Sequence, residues 1–79
     1  MERKELEEKI LELISKTYQV SISDISIDSV FGVDIAGESI KMVGLVAEIE
    51  NELDAMVQLP VAAACKTIGE LVDKVEEEL

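Results

Sequence analysis

Apolar residues recur along this chain at two spacings, and the change between them separates helical from non-helical stretches. From Glu2 to about Tyr18, Leu6, Ile10, Leu13, Ile14 and Thr17 follow the i, i+4, i+7, i+8 pattern of one helix face. Glu2, Glu5, Glu7 and Glu8 crowd the start of this first helix and Lys16 sits near its end, which suits the helix dipole. From Gln19 to Glu38 the helical period is lost. Val20-Ser-Ile-Ser-Asp-Ile-Ser-Ile-Asp-Ser-Val30 alternates apolar and polar positions as a strand would, but the chain offers no second strand to pair with it, and an isolated strand is not stable. The stretch is therefore expected to be an ordered loop. In it Val20, Ile22, Ile25, Ile27, Val30 and Phe31 plug the core from outside, and Ser23, Asp24, Ser26, Asp28 and Ser29 supply turn and capping chemistry. Gly32 and Gly37 permit tight bends ahead of Ser39.

The helical period returns at Ser39. Met42, Leu45, Val46, Ile49 and Leu53 form one face of a second helix that ends at Leu53. Ile40, Val43 and Ala47 make a further apolar strip beside that face. A single core-facing stripe does not require this strip, and in so short a chain it implies a surface with something to dock against. Gly44 is unfavourable within the helix, by roughly 1 kcal/mol relative to Ala, so it either admits a close neighbour or leaves a flat patch. Asp54 to Pro60 reads as a connection, since a helix cannot cross Pro60 undisturbed, and Val61 to Lys66 as a short helical turn. Thr67-Ile-Gly-Glu70 is a capping box that opens a last helix through about Leu79, with Ile68, Leu71, Val72, Val75 and Leu79 on its apolar face. Glu76, Glu77 and Glu78 lie at the wrong end of that helix's dipole, so its end is expected to fray. The fold class is all-α: a small four-helix bundle of three main helices plus one short helix, with a long loop after the first.

With 79 residues the chain is expected to be one domain, 1–79, with a core of marginal size. Its 18 acidic residues against 7 basic ones give a net charge of −11, which argues against nucleic acid as a partner and for partners with basic surfaces, or simply for solubility. The one cysteine permits no intramolecular disulfide; Cys65 is expected to be a small buried hydrophobe. There is no histidine and no metal-ligand cluster. No run of about 18 apolar residues could span a membrane, and the charged start is unlike a signal peptide. The expected setting is a reducing cytoplasm and the expected state a monomer.

Several kinds of chemistry are ruled out. A Ser-His-Asp triad is impossible without histidine. A nucleophile elbow would need glycine where Lys41 stands, and no serine is followed three residues later by lysine. No Walker-type glycine loop appears, and Asp24, Asp28 and Asp34 do not match calcium-loop spacing. Nothing supports an enzyme. What remains is Ser39, delivered to a helix N-terminus by a polar loop. One reading is a helix cap. Another is a covalent attachment point for a phosphodiester, whose charge the helix dipole and free N–H groups would favour. The two are compatible, and Ser39 has no base of its own, so another protein would have to supply the chemistry.

Asp34-Ile-Ala-Gly-Glu-Ser-Ile40, followed by an amphipathic helix ending Glu48-Ile-Glu-Asn-Glu-Leu-Asp54, resembles the acyl carrier proteins, whose usual motif is D-L-G-A-D-S-L at the start of the second helix of a four-helix bundle. The resemblance covers nearly the whole chain, including the loop with Ile27-Asp-Ser-Val-Phe31 and the terminal helix. It implies that Ser39 carries 4′-phosphopantetheine, transferred from coenzyme A by a phosphopantetheinyl transferase. The thiol of that arm would hold acyl groups as thioesters and present them to synthases and acyltransferases, docked around Glu38, Ile40, Lys41, Val43 and Ala47. A medium-length acyl chain is expected to fold back between the helices. Departures from the pattern are Glu38 for the usual Asp, Ile40 for Leu, and Lys41 and Gly44 where acids are common. Ala36-Gly-Glu-Ser-Ile40 is also similar to peptidyl carrier domains, and Met42 to Asn51 to D-alanyl carrier proteins. The expected function is thus an acyl carrier in a specialised fatty-acyl or polyketide-type pathway. The alternatives are a peptidyl or D-alanyl carrier, and an unmodified acidic interaction module in which Ser39 only caps a helix.

Overall fold

The computed structural model describes residues 1–35 and 40–79 in full and the backbone of Ser39; Ala36, Gly37 and Glu38 lie outside the described residues. The chain forms α1 (Arg3–Tyr18), α2 (Ser39–Leu53), α3 (Leu59–Ala63) and α4 (Ile68–Glu77), with a 3₁₀ turn at Ile22–Asp24. This is the expected helical bundle. α1 packs on both α2 and α4, and the short α3 bridges α2 and α4. The faces predicted from periodicity meet in one core. Leu6, Ile10 and Ile14 of α1, Leu45 and Ile49 of α2, and Ile68, Leu71, Val72 and Val75 of α4 are almost completely removed from water. Each such aliphatic side chain contributes on the order of 1.5–3 kcal/mol relative to an exposed one.

α1 ends at Tyr18, where Gln19 takes a left-handed conformation (φ 55°) and the amides of Gln19 and Val20 both donate to the Ser15 carbonyl. Tyr18 itself is buried, with its ring 6.1 Å from that of Phe31 and tilted by 43°. Charge adds to the packing at the edges. The Arg3 guanidinium meets Glu7 at 2.9 Å, Asp73 at 2.8 Å and Glu76 at 3.0 Å, tying α1 to α4.

The third and fourth helices depart from expectation at their ends. α3 starts at Leu59, not Val61, and Pro60 lies inside its first turn. A proline bars a helix from crossing it but suits the first turn, where its missing N–H would have no partner and its fixed φ is already helical. α4 stops at Glu77, and Leu79 is exposed rather than part of the apolar face. The crowd of acids at this C-terminus opposes the dipole, as the sequence leads one to expect.

The loop after α1 is not a strand. Among the described residues its only ladder contacts are two isolated bridges, Val30 with Thr67 and Phe31 with Ile35. Its backbone is instead stitched to the start of α4. Phe31 N–H donates to the Lys66 carbonyl (2.9 Å), Ile68 N–H to Ser29 (3.1 Å) and Gly69 N–H to Ile27 (2.8 Å). Glu70 N–H then donates to Thr67 Oγ1 (3.2 Å), and Glu70 Oε2 accepts from the amides of Lys66 and Thr67. The first-turn amides of a helix have no intrahelical acceptor; here the loop supplies carbonyls for two of them and the capping box serves a third. Val20, Ile25 and Phe31 pack against the core as expected, but Ile22 is turned to solvent at 47% exposure. It sits in the 3₁₀ turn, where the alternation of inward and outward positions no longer applies.

Candidate functional site

The site begins with the clasp that precedes α2. Asp34 Oδ2 accepts from the Val30 amide at 2.8 Å, while the Val30 carbonyl accepts from the amides of Val33, Asp34 and Ile35. Gly32 N–H donates to the Ile35 carbonyl (3.0 Å), and Gly32 has φ +83°, a conformation that favours glycine. The clasp closes on Ile35, which is fully buried. Four residues further on, α2 begins at Ser39. The loop is thus anchored to the core at Ile35 and to α4 at Phe31 before it reaches the serine.

Sequence reasoning placed Asp34 and Ile35 inside the motif without giving either a task. The signal for Asp34 was its type: a short carboxylate in a tight loop captures a nearby amide. Ile35 carried no such signal, since one apolar residue among polar ones fits neither period.

Beyond Ser39 the two strips of α2 separate cleanly. Met42, Leu45 and Ile49 face the core, and Val46 and Leu53 pack at its margin. Ile40 is 70% exposed, Val43 is 49% exposed, Ala47 is exposed and Lys41 is half-buried. Ile40, Val43 and Ala47 share the outward side of one helix, with Lys41 on its flank; the fifth of the expected docking positions, Glu38, lies outside the described residues. The acids further along α2 divide. Glu48 pairs with Lys16 at 3.6 Å and Glu52 with Lys9 at 3.7 Å, so both are directed towards α1. Glu50 is exposed and has no such pair among the described residues. The first turn of α2 contains no acid.

Cys65 is a core residue rather than a reactive group. It is buried and its thiol donates to the Val61 carbonyl at 3.5 Å. Burial first, and the nearby carboxylates of Glu70 and Asp73 after it, push the thiol above its ordinary value, so at neutral pH it stays protonated and unreactive.

Comparison with known proteins agrees with this arrangement. A family described as the phosphopantetheine attachment site matches residues 8–75. The chain belongs to the acyl carrier protein family. It is 27% identical over 75 residues to an acyl carrier protein of Porphyromonas gingivalis, an alignment that covers 95% of this chain and 96% of that protein. An acyl carrier protein of Rickettsia bellii is 29% identical over 72 residues, covering 91% of this chain and 84% of the relative. One from Clostridium perfringens is 29% identical over 70 residues, covering 89% and 92%.

Acyl carriers bear 4′-phosphopantetheine covalently, and they work with the transferases that install it and with acyl-processing enzymes. The residues at the start of α2 fit such a group. Its phosphodiester is an anion, and the helix start offers partial positive charge, no acid in the first turn and the ammonium of Lys41. Among the described residues no helix is long and apolar enough to cross a membrane.

Proposed function

We propose that residues 1–79 act as one acyl carrier domain whose Ser39 bears 4′-phosphopantetheine, and that it serves a specialised fatty-acyl or polyketide-type pathway. One observation carries the attachment reading: α2 begins at Ser39, four residues after the buried Ile35, with exposed Ile40 beside it. A serine so placed stands at a helix start whose next residue faces solvent. The donor is coenzyme A and the chemistry belongs to the transferase. The thiol of the attached arm then holds an acyl group as a thioester. Coexpression with a broad transferase, followed by intact-mass measurement and peptide mapping, tests the reading. The added mass should map to Ser39, and modification surviving in Ser39→Ala overturns it.

The docking surface in this reading is Glu38, Ile40, Lys41, Val43 and Ala47. Supporting it are the exposure of Ile40, Val43 and Ala47 and the engagement of Glu48 and Glu52 with α1, which leaves the outward side of α2 apolar near Ser39. Lys41 set against a basic enzyme surface repels it, and like charges exclude wrong partners. Lys41→Glu should speed use of this carrier by a general carrier-processing enzyme, most at low ionic strength. Val43→Asp should impair its own partner. Equal turnover of Lys41→Glu and the parent at low salt removes Lys41 as a selectivity device.

A further inference from the structure

Two lysines of α1 lie against α2. Lys16 Nζ is 3.6 Å from Glu48 Oε2, and Lys9 Nζ is 3.7 Å from Glu52 Oε2. The pairing follows from spacing. Lys9 and Lys16 are seven residues apart and share one flank of α1; Lys41, Glu48 and Glu52 fall at i, i+7 and i+11 and share one flank of α2. The side chains of the two pairs are between 33% and 71% exposed, and ion pairs so open to water add little to stability. Their effect is on the field. A carboxylate beside an ammonium is a dipole, and its potential fades faster with distance than that of a lone charge. The chain as a whole carries −11, which draws basic surfaces towards it. Yet among the described residues the charges on α2 and those paired with them cancel: Lys9, Lys16 and Lys41 stand against Glu48, Glu50 and Glu52. The excess acid lies elsewhere, as at the exposed Glu8 of α1 and at Glu77 and Glu78 by the end of α4.

From these observations we infer that Lys9 and Lys16 are specificity-determining residues, although neither belongs to the apolar strip or to α2. They neutralise the α2 side of the molecule. An enzyme with a strongly basic docking surface is then steered to the acidic faces, away from α2. A partner with a neutral, apolar surface meets Ile40, Val43 and Ala47 without that competition. Charge at an interface acts chiefly on association rate and on the exclusion of wrong partners, so two surface lysines suffice for such a bias. The inference rests on the attachment at Ser39 argued above for which side an enzyme must reach; the charge distribution stands without it.

The test compares Lys9→Gln/Lys16→Gln with Lys4→Gln/Lys74→Gln. Both double variants have the same net charge, but the second removes an exposed lysine from α1 and one from α4, which packs on α1 and α3. The first readout is kcat/KM for modification by a phosphopantetheinyl transferase with a basic docking surface. Lys9→Gln/Lys16→Gln should raise it roughly threefold at low salt and not at high salt, while the control stays close to the parent. Adding Glu48→Gln and Glu52→Gln to the first variant should return the parent rate. The second readout needs no attachment: relaxation of backbone amides by a cationic nitroxide relative to a neutral one, in Ser39→Ala protein. That ratio should rise roughly threefold at Val43, Ala47 and Glu50 when Lys9 and Lys16 are removed, and little in the control. Equal rates for the two double variants overturn the inference, since net charge alone would then act. So does a rise that persists at high salt, or a nitroxide ratio along α2 that does not change. A large fall in melting temperature confined to Lys9→Gln/Lys16→Gln also overturns it, by giving the pairs a structural role. If no variant gains the mass of the arm, the attachment reading fails separately. The nitroxide ratio then decides the lysines by itself, its rise supporting the inference and its absence refuting it.

Discussion

Gly44→Ala should stabilise this protein, although the glycine sits in the helix that carries the candidate serine. Glycine in a helix interior is about 1 kcal/mol less favourable than alanine, because the unfolded chain has more freedom to lose. The cost would be worth bearing only if the close approach of α1 required a missing Cβ. It does not: a Cβ built at Gly44 meets Thr17 Cγ2 at 3.7 Å, an ordinary van der Waals separation, with no backbone atom in the way. The half-buried methyl adds at most a few tenths of a kcal/mol. The sum is about 1–1.5 kcal/mol. For a chain of this size, where one kcal/mol moves the midpoint by about 4–8 °C, that is a rise of roughly 5–10 °C in thermal melts followed by circular dichroism. Gly69→Ala is the control. A Cβ there falls 3.1 Å from the Ile27 carbonyl oxygen, which is already held at 2.8 Å by the Gly69 amide and cannot retreat without breaking that bond. The same substitution should therefore lower stability, by roughly 1–2 kcal/mol. An unchanged or lower midpoint for Gly44→Ala, or a higher one for Gly69→Ala, refutes the reasoning.

Thr67→Ala leaves the Glu70 amide without its side-chain acceptor and should cost about 1 kcal/mol, with faster hydrogen exchange at Phe31, Ile68 and Gly69; confinement of the change to Glu70 would separate the cap from the loop. Arg3→Met removes three exposed ion pairs and should cost about 1 kcal/mol at low salt, and a loss of equal size at high salt would deny the electrostatic origin. Burial pushes the Tyr18 phenol above its ordinary 10.0, so the folded chain holds this proton more tightly than the unfolded one. The corresponding stability is complete below about pH 10 and is lost as pH rises through the folded-state value. In a Cys65→Ala background, which removes the thiol's contribution of the same sign, melting temperature should fall more steeply above about pH 10 with Tyr18 than with Tyr18→Phe; parallel slopes would contradict this.

The helices were legible because their apolar positions repeat: Leu6, Ile10 and Ile14, or Ile68, Leu71 and Val75, can share a face only in a helix, and all are buried. The capping box was legible for a similar reason, since its partners are three residues apart. The start of α3 was misread because Pro60 means one thing inside a helix and another in its first turn, and the residues alone do not say which. The loop was legible as a loop, but not which of its isoleucines turn inward; that depends on carbonyl acceptors meeting α4 some forty residues away. The site divides along the same line. Ser39, Ile40, Val43 and Ala47 could be placed on one helix by counting. The anchoring of Ile35 in the core and the turning of Glu48 and Glu52 towards α1 depend on elements distant in sequence.

The hydrogen bonds between the loop and the start of α4 also set an order of events. Ile27 and Gly69 are partners across a long stretch of chain, and closing so long a segment comes after the local turns and helices have formed. While α4 is unformed, the carbonyls of Ile27 and Ser29 have no amides to accept, and the Val30–Ile35 clasp lacks its tie at Lys66. The stretch from Val30 to Ile35 ahead of α2 is then held less firmly. In the reading proposed above, a transferase that recognises Ser39 in its folded setting would therefore pass over nascent or damaged chains and modify only copies whose folding is complete.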